Sequence, residues 1–293
     1  MKTPYNVILL LFLSGIFFVF CTGKTNTGAE TDAGNIYPFE YDSKDKAILL
    51  NGIINDSIQL RLFFDTGTSF NNPRTVLLSD SIRQFLQDSV CRLKVGDIEH
   101  EYSIGNFRMK MFDFVFQHFS KGTSVLDIDF FENEIIKISY REKYFQRLNN
   151  TNGLEDYTCV QLIPKKEYNG CLGIEIEVFV QGKQIKEIVM IDTGFNGFAA
   201  FNNSVVEKYG IDTEKAQKIQ SLNHSLRQYR LTADSIKAGC VFSGRNTVEF
   251  LSEYHLSGAP HSGVLGNAFL ENFEIILDFK NHVMYIKPLD FMV

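Results

Sequence analysis

Two aspartates carry the most specific chemistry in this sequence. Asp65 opens the triplet Asp65-Thr66-Gly67, and Asp192 opens Asp192-Thr193-Gly194. Each triplet follows an apolar run, Ile58 to Phe64 in the first case and Ile185 to Ile191 in the second. Two carboxyls held close together cannot both ionise cheaply, so one keeps a proton while the other is charged. Such a pair can hydrolyse a peptide bond with neither a metal nor a covalent intermediate. The neutral acid polarises the scissile carbonyl, and the carboxylate takes a proton from the attacking water. The two acids then titrate as a pair rather than as individuals.

The neighbouring residue types suit that task. Gly67 and Gly194 let the backbone turn sharply beside each carboxyl, where a side chain would crowd the facing half. Thr66 and Thr193 each offer a hydroxyl that can bond the opposite loop. Thr68 and Ser69 can donate to Asp65 and favour its charged form, whereas the second triplet continues Phe195-Asn196-Gly197 without that hydroxyl. The shared proton is therefore expected to sit unevenly.

The elements that must position these residues occur twice, in a repeat of roughly 130 residues. The first copy runs from Ile48 through a turn at Asn55-Asp56 to Phe64. The second runs from Leu172 through a turn at Gly182-Lys183 to Ile191. Partial apolar–polar alternation and β-branched and aromatic residues predict a strand, a tight turn and a strand in each. Short helices are expected over Ser79 to Gln87 and Asn203 to Tyr209, capped by Ser79 and Asn203, with Gly210 closing the second. Further strands are expected over Arg92–Val95, Glu101–Ile104 and Met109–Phe116, and over Gln228–Leu231, Ser235–Ala238 and Thr247–Phe250. Each copy closes on a related string, Val125-Leu126-Asp127 to Asn133 and Val264-Leu265-Gly266 to Asn272, sharing Val-Leu-x-x-x-Phe-x-Glu-Asn. Glu132 and Glu271 take equivalent places there, read as surface ends.

These residues resemble the active-site turns of the pepsin and retropepsin superfamily of aspartic proteases. Val264-Leu265-Gly266 resembles the family's hydrophobic-hydrophobic-Gly strand behind the catalytic loop, and the likeness covers nearly all of Ala47 to Pro288. It implies a mostly β, two-lobed acid-protease fold with a few short helices. It implies Asp65 and Asp192 as the catalytic pair, Thr66 and Thr193 as the grip between loops, and Gly67, Thr68 and Gly194 as loop support. It also implies an extended peptide bound across the lobes, partly by strand-like backbone bonding. Family members cover the substrate with a first-lobe hairpin, for which Val95 to Tyr102 is the candidate; Tyr102 is either its flap tyrosine or an ordinary strand residue. The sequence departs from the pattern at Asp127, which stands where the second copy has Gly266. A buried carboxylate there would be costly, so it is expected to face solvent or to mark a distorted first lobe.

Outside the repeat, Lys2 and the apolar run Val7 to Phe20 form an export signal too short to span a bilayer comfortably. Cys21 and the polar stretch after it resemble a bacterial lipoprotein signal, with an ordinary cleaved signal peptide as the alternative. The expected organisation is a signal over 1–21, a polar tether over 22–46, a first lobe over 47–145, a linker over 146–156 and a second lobe over 157–293. The expected location is the cell envelope, with a membrane anchor at Cys21. Cys91, Cys159, Cys171 and Cys240 remain; Cys159 can pair with Cys171 in an oxidising compartment, or all can stay buried thiols.

The composition narrows the partners. A net charge of −6, with no basic run interleaved with aromatics, argues against nucleic acid. The six histidines are scattered without ligand spacing, no phosphate-binding glycine loop occurs and no Gly-x-Ser-x-Gly elbow is present. No cofactor or metal is expected. The reading is thus a monomeric aspartic endopeptidase acting on peptide or protein. A non-catalytic envelope protein that uses the same fold to bind peptide or glycan is the alternative, and a homodimer using one triplet per chain is a third.

Overall fold

The computed structural model describes residues 33–68, 75–78, 86, 90–104, 124–164, 171–214, 216–220, 227–239, 241–251 and 262–289. The expected signal, Cys21, Cys240, the strand at Met109–Phe116 and, apart from Leu86, the helix at Ser79 to Gln87 lie outside the described residues. The first lobe runs β1 (Ala33–Asp42), β2 (Ala47–Ile54), β3 (Ile58–Asp65), β4 (Thr75–Leu78), β5 (Val90–Val95), β6 (Ile98–Ile104), β7 (Ser124–Asp127), β8 (Ile135–Ser139) and β9 (Tyr144–Leu148). A single 3-10 turn, Ile128–Phe131, separates β7 from β8. The second lobe runs β10 (Thr158–Gln161), β11 (Ile163–Pro164), β12 (Leu172–Val180), β13 (Lys183–Asp192), β14 (Ala199–Phe201), α1 (Asn203–Tyr209), β15 (Gln217–Gln220) and β16 (Arg227–Ala233). It continues with β17 (Ser235–Ala238), β18 (Val241–Ser243), β19 (Asn246–Leu251), β20 (Gly263–Gly266), α2 (Asn267–Leu270), β21 (Phe273–Asp278) and β22 (Val283–Pro288).

The two hairpins expected to open the lobes are both present. In β2–β3 the turn residues Asn55 and Asp56 adopt φ of 48° and 56°. Two successive positive-φ residues give the turn whose twist matches its strands, and Asn and Asp tolerate that region best among non-glycines. The β12–β13 turn falls on Gln181 and Gly182, with φ of 53° and 71°, one residue before the expected pair. Val180 pairs with Lys183, which leaves only those two residues for the turn.

One sheet has the order β10-β22-β21-β8-β9-β1-β2-β3-β7-β4-β6-β5. An extra β2–β5 pairing closes the first-lobe strands on themselves. The other sheet follows β15-β16-β19-β14-β20-β13-β12-β17-β18, with β11 on β12. Strands β8 and β21 pair antiparallel, Ile138 opposite Ile275, so the lobes share the first sheet. The abundant Phe fills the interior. Phe64 meets Phe131 and Phe145 edge-on in the first lobe, and Phe131 stacks on Phe279 across the lobes. Each such side chain contributes about 1.5–3 kcal/mol by leaving water.

Three expectations shift. Residues 33–42, read as part of the tether, form β1 between β9 and β2. The buried Tyr37 and Phe39 explain why this strand packs. The expected linker begins inside β9, which runs on to Leu148. The N-cap position of α1 falls on Asn202 rather than Asn203, without a side-chain capping bond; the Asn203 amide instead bonds Glu207 one turn on, at 2.7 Å. Gly210 does end this helix, in the left-handed conformation.

Candidate active site

Both triplets sit at the end of a strand that is held by a parallel neighbour. Strand β3 pairs with β7, Asp65 beside Asp127, and β13 pairs with β20, Asp192 beside Gly266. The chain then turns at Thr-Gly. The two turns lock through four reciprocal hydrogen bonds. Thr66 N–H donates to Thr193 Oγ1 at 3.0 Å, and Thr193 N–H donates to Thr66 Oγ1 at 3.0 Å. The Thr66 hydroxyl donates to Ile191 O and the Thr193 hydroxyl to Phe64 O, both at 2.9 Å. Thr66 and Thr193 are almost fully buried, so no water competes for these bonds.

The lock brings the carboxyls together. Asp65 and Asp192 hydrogen-bond to each other and remain half-buried. Each is cradled by its own loop: Gly67 N–H donates to Asp65 Oδ1 and Gly194 N–H to Asp192 Oδ1, both at 2.8 Å. Each also lies against the opposite glycine. A Cβ on Gly67 would fall 2.6 Å from Asp192 Cγ and Oδ1, and one on Gly194 would fall 2.8 Å from Asp65 Cγ and Oδ1. Only glycine permits this approach.

The expected asymmetry is present. The Thr68 hydroxyl donates to Asp65 Oδ2 at 2.7 Å, and Phe195 offers Asp192 no such group. Burial raises the proton affinity of Asp65, opposed by hydrogen bonds from Thr68, Asp192 and Gly67. Burial, then the charge of Asp65, pushes Asp192 well above the usual carboxylate range. Burial thus favours the neutral form of both acids while the Thr68 hydroxyl favours charge on Asp65, so the two carboxyls share a proton unevenly and titrate as a pair. An acid and a base are thereby set side by side, which is what general acid–base activation of a water requires.

The closing strings pack behind the turns. Asn267 N–H donates to Phe195 O at 2.9 Å, and Ile128 N–H donates to Thr68 O at 3.3 Å in the first lobe. A Cβ on Gly266 would fall 2.5 Å from Gly197 O and from Phe195 O, so the second lobe requires glycine there. Its counterpart Asp127 is buried, at 2% exposure, and does not face solvent. Tyr102 is likewise 2% exposed and stacks on Phe130 in the first-lobe core, so it is a core tyrosine and not a flap residue. Cys159 is exposed while Cys171 is buried, and both are free, as is Cys91; of the two alternatives the Cys159–Cys171 pairing is not formed, and the unpaired thiols are buried except at Cys159. Glu271 is no idle surface end, since its carboxylate bonds the Tyr41 hydroxyl at 2.7 Å and the Lys46 ammonium. Sequence reasoning passed over Asn267, which is fully buried and bonds three partners. Its one signal is an amide standing where the first copy has Ile128.

No protein-family model matches the sequence, and no curated protein matches it. Among solved structures, the aspartic proteinase from Irpex lacteus aligns with a TM-score of 0.52 at 12% identity. The alignment covers 88% of this chain and 98% of that one. The likeness establishes a mostly β, pepsin-like two-lobed fold.

Proposed function

We propose that this chain is an aspartic endopeptidase. The observation that carries the reading is the hydrogen-bonded Asp65–Asp192 pair at the junction of two locked turns. Charged Asp65 takes a proton from a water held between the carboxyls, while protonated Asp192 donates to the oxygen of the scissile carbonyl. The water oxygen bonds to the carbonyl carbon, giving a tetrahedral diol. Proton transfer to the amide nitrogen then lets the C–N bond break, yielding an acid and an amine. One chain supplies both carboxyls, so a monomer suffices, and an extended peptide lying across the lobes is the substrate. We assign it to the cell envelope, tethered at Cys21, on the order of its apolar and polar N-terminal segments.

Replacing Asp65 or Asp192 by Asn tests the reading. Either change removes one member of the acid–base pair and should abolish cleavage of an unfolded peptide. Turnover retained in both variants refutes it. One observation favours a second reading, a peptide- or glycan-binding protein: the buried Asp127 where the other lobe has glycine. Tight peptide binding without cleavage anywhere from about pH 3 to pH 8 decides for that alternative.

A further inference from the structure

The two catalytic turns are built alike but supported differently. In the second, the peptide group between Thr193 and Gly194 does two things. Its N–H donates to Asp192 Oδ1 at 2.8 Å, and its carbonyl accepts from Asn267 Nδ2 at 2.5 Å. The same amide nitrogen donates to Lys46 O at 2.6 Å. Two carbonyl partners fix which end of the amide is nitrogen, so Oδ1 must accept, and it takes the Tyr140 hydroxyl at 2.7 Å. Burial, then the charge of Glu271, pushes the Tyr140 phenol far above its usual range, so it stays a donor throughout the working pH.

Lys46 and Tyr140 belong to the first lobe. Lys46 ends the β1–β2 turn at φ 49°, a left-handed conformation that costs a residue with a Cβ on the order of 1 kcal/mol. The turn is shaped by the Asp42 carboxylate, which accepts from Lys44 N–H at 2.9 Å and Asp45 N–H at 3.1 Å. It presents the Lys46 carbonyl to Asn267. The first lobe has Ile128 at the position of Asn267, so the peptide group between Thr66 and Gly67 receives no amide from that residue.

We propose that Asn267 is a positioning residue for the second catalytic turn, orienting the Thr193–Gly194 peptide plane whose N–H holds the Asp192 carboxyl, and referencing that plane to the first lobe through Lys46 and Tyr140. The inference rests on the protease reading above. A hydrogen bond to the carbonyl of a peptide also polarises its N–H, so Asn267 strengthens the donor that Asp192 receives. The groups that bear on Asp192 are Asp65 across the junction and the backbone N–H groups of Gly194 and Phe195; the same two aspartates, with Asp129 and Asp127, act on the buried Cys171 thiol, and on the Asn267 side Glu271 is held by Tyr41 and Lys46.

The test compares Asn267→Leu, Tyr140→Phe and Tyr41→Phe in the full chain, with Asp192→Asn as the inactive control. Tyr41 and Tyr140 each lose one hydroxyl at the same lobe contact, but only Tyr140 touches Asn267. Asn267→Leu should lower kcat about 100-fold with KM within about threefold, the signature of a misplaced catalytic group. The alkaline limb of its pH profile should move up, because Asp192 loses part of the donor that favours its charged form. Tyr140→Phe should lower kcat several-fold, and Tyr41→Phe should match the parent protein at similar loss of melting temperature. Equal falls in Tyr41→Phe and Tyr140→Phe, or a parental kcat in folded Asn267→Leu, overturn the proposal; if Asn267→Leu does not fold, the tyrosine pair decides. If the parent chain does not cleave, the protease reading fails separately. The Asp192 carboxyl titration, followed by carbon-13 NMR, still judges Asn267: a shift in Tyr140→Phe but not Tyr41→Phe supports it, and no shift overturns it.

Discussion

Replacing Thr193 by Val keeps the shape of the side chain and removes one hydroxyl. That hydroxyl donates to Phe64 O at 2.9 Å and accepts from Thr66 N–H at 3.0 Å. Both bonds lie in a region closed to solvent, and the valine methyl bars water from replacing them. Leaving a buried donor or acceptor unpaired costs about 1–3 kcal/mol each, so the substitution should cost about 2–6 kcal/mol. The Thr66 N–H is the costlier loss, since it has a single proton to place. Thr66→Val strands Ile191 O and Thr193 N–H in the same way, so the two variants should be destabilised alike. Thr193→Ser keeps the hydroxyl, gives up one buried methyl and should cost about 1 kcal/mol. The assay is the denaturant midpoint at unchanged slope. A Val variant within about 0.5 kcal/mol of the parent, or a Ser variant as costly as Val, would refute the reasoning.

The dyad also sets how stability depends on pH. Its folded-state proton affinity is raised, so its stabilising contribution is complete below the unfolded aspartate value of about 3.9 and is lost as pH rises through the raised value. Asp192→Asn should flatten that slope and melt higher than the parent at neutral pH; an unchanged slope speaks against a buried shared proton. Gly67→Ala should displace the Asp192 carboxyl and cut kcat by about 100-fold or more. Near-parental turnover would mean that the close approach is not needed. Burial pushes the Cys91 thiol up to about 11, and Cys171 is also raised by burial. A thiol reagent at about pH 8 should therefore label exposed Cys159 in the native protein, and Cys91 and Cys171 only on unfolding. Mass spectrometry of native and unfolded samples distinguishes the outcomes.

The two aspartate turns were legible because their chemistry is local: the triplet, the hydroxyl of Thr68 and the apolar strand before it lie within one short stretch. The hairpin turn at Gln181-Gly182 was misplaced by one residue because register, not residue type alone, decides where positive φ falls. Strand β1 was missed because Gly34 and Pro38 interrupt the pattern, although Tyr37, Phe39 and Tyr41 alternate correctly; its partners β2 and β9 are non-local. The inward face of Tyr102 could have been read from the sequence, since Ile98, His100 and Tyr102 alternate with Glu99 and Glu101. Asn267 could not. Its partners Lys46 O and Thr193 O are backbone groups 221 and 74 positions away, which leave no trace in residue type.

The facing of Gly67 on Asp192 and of Gly194 on Asp65 has a consequence for how the duplicated halves can diverge. Each glycine answers a demand made by the other half, so neither turn can acquire a side chain while the opposite aspartate is in use. Behind the turns no such reciprocity applies, and there Asp127 faces the same task as Gly266, and Ile128 the same as Asn267, with different chemistry. The junction freezes the two halves together, and the layer beneath it is where they have been free to specialise.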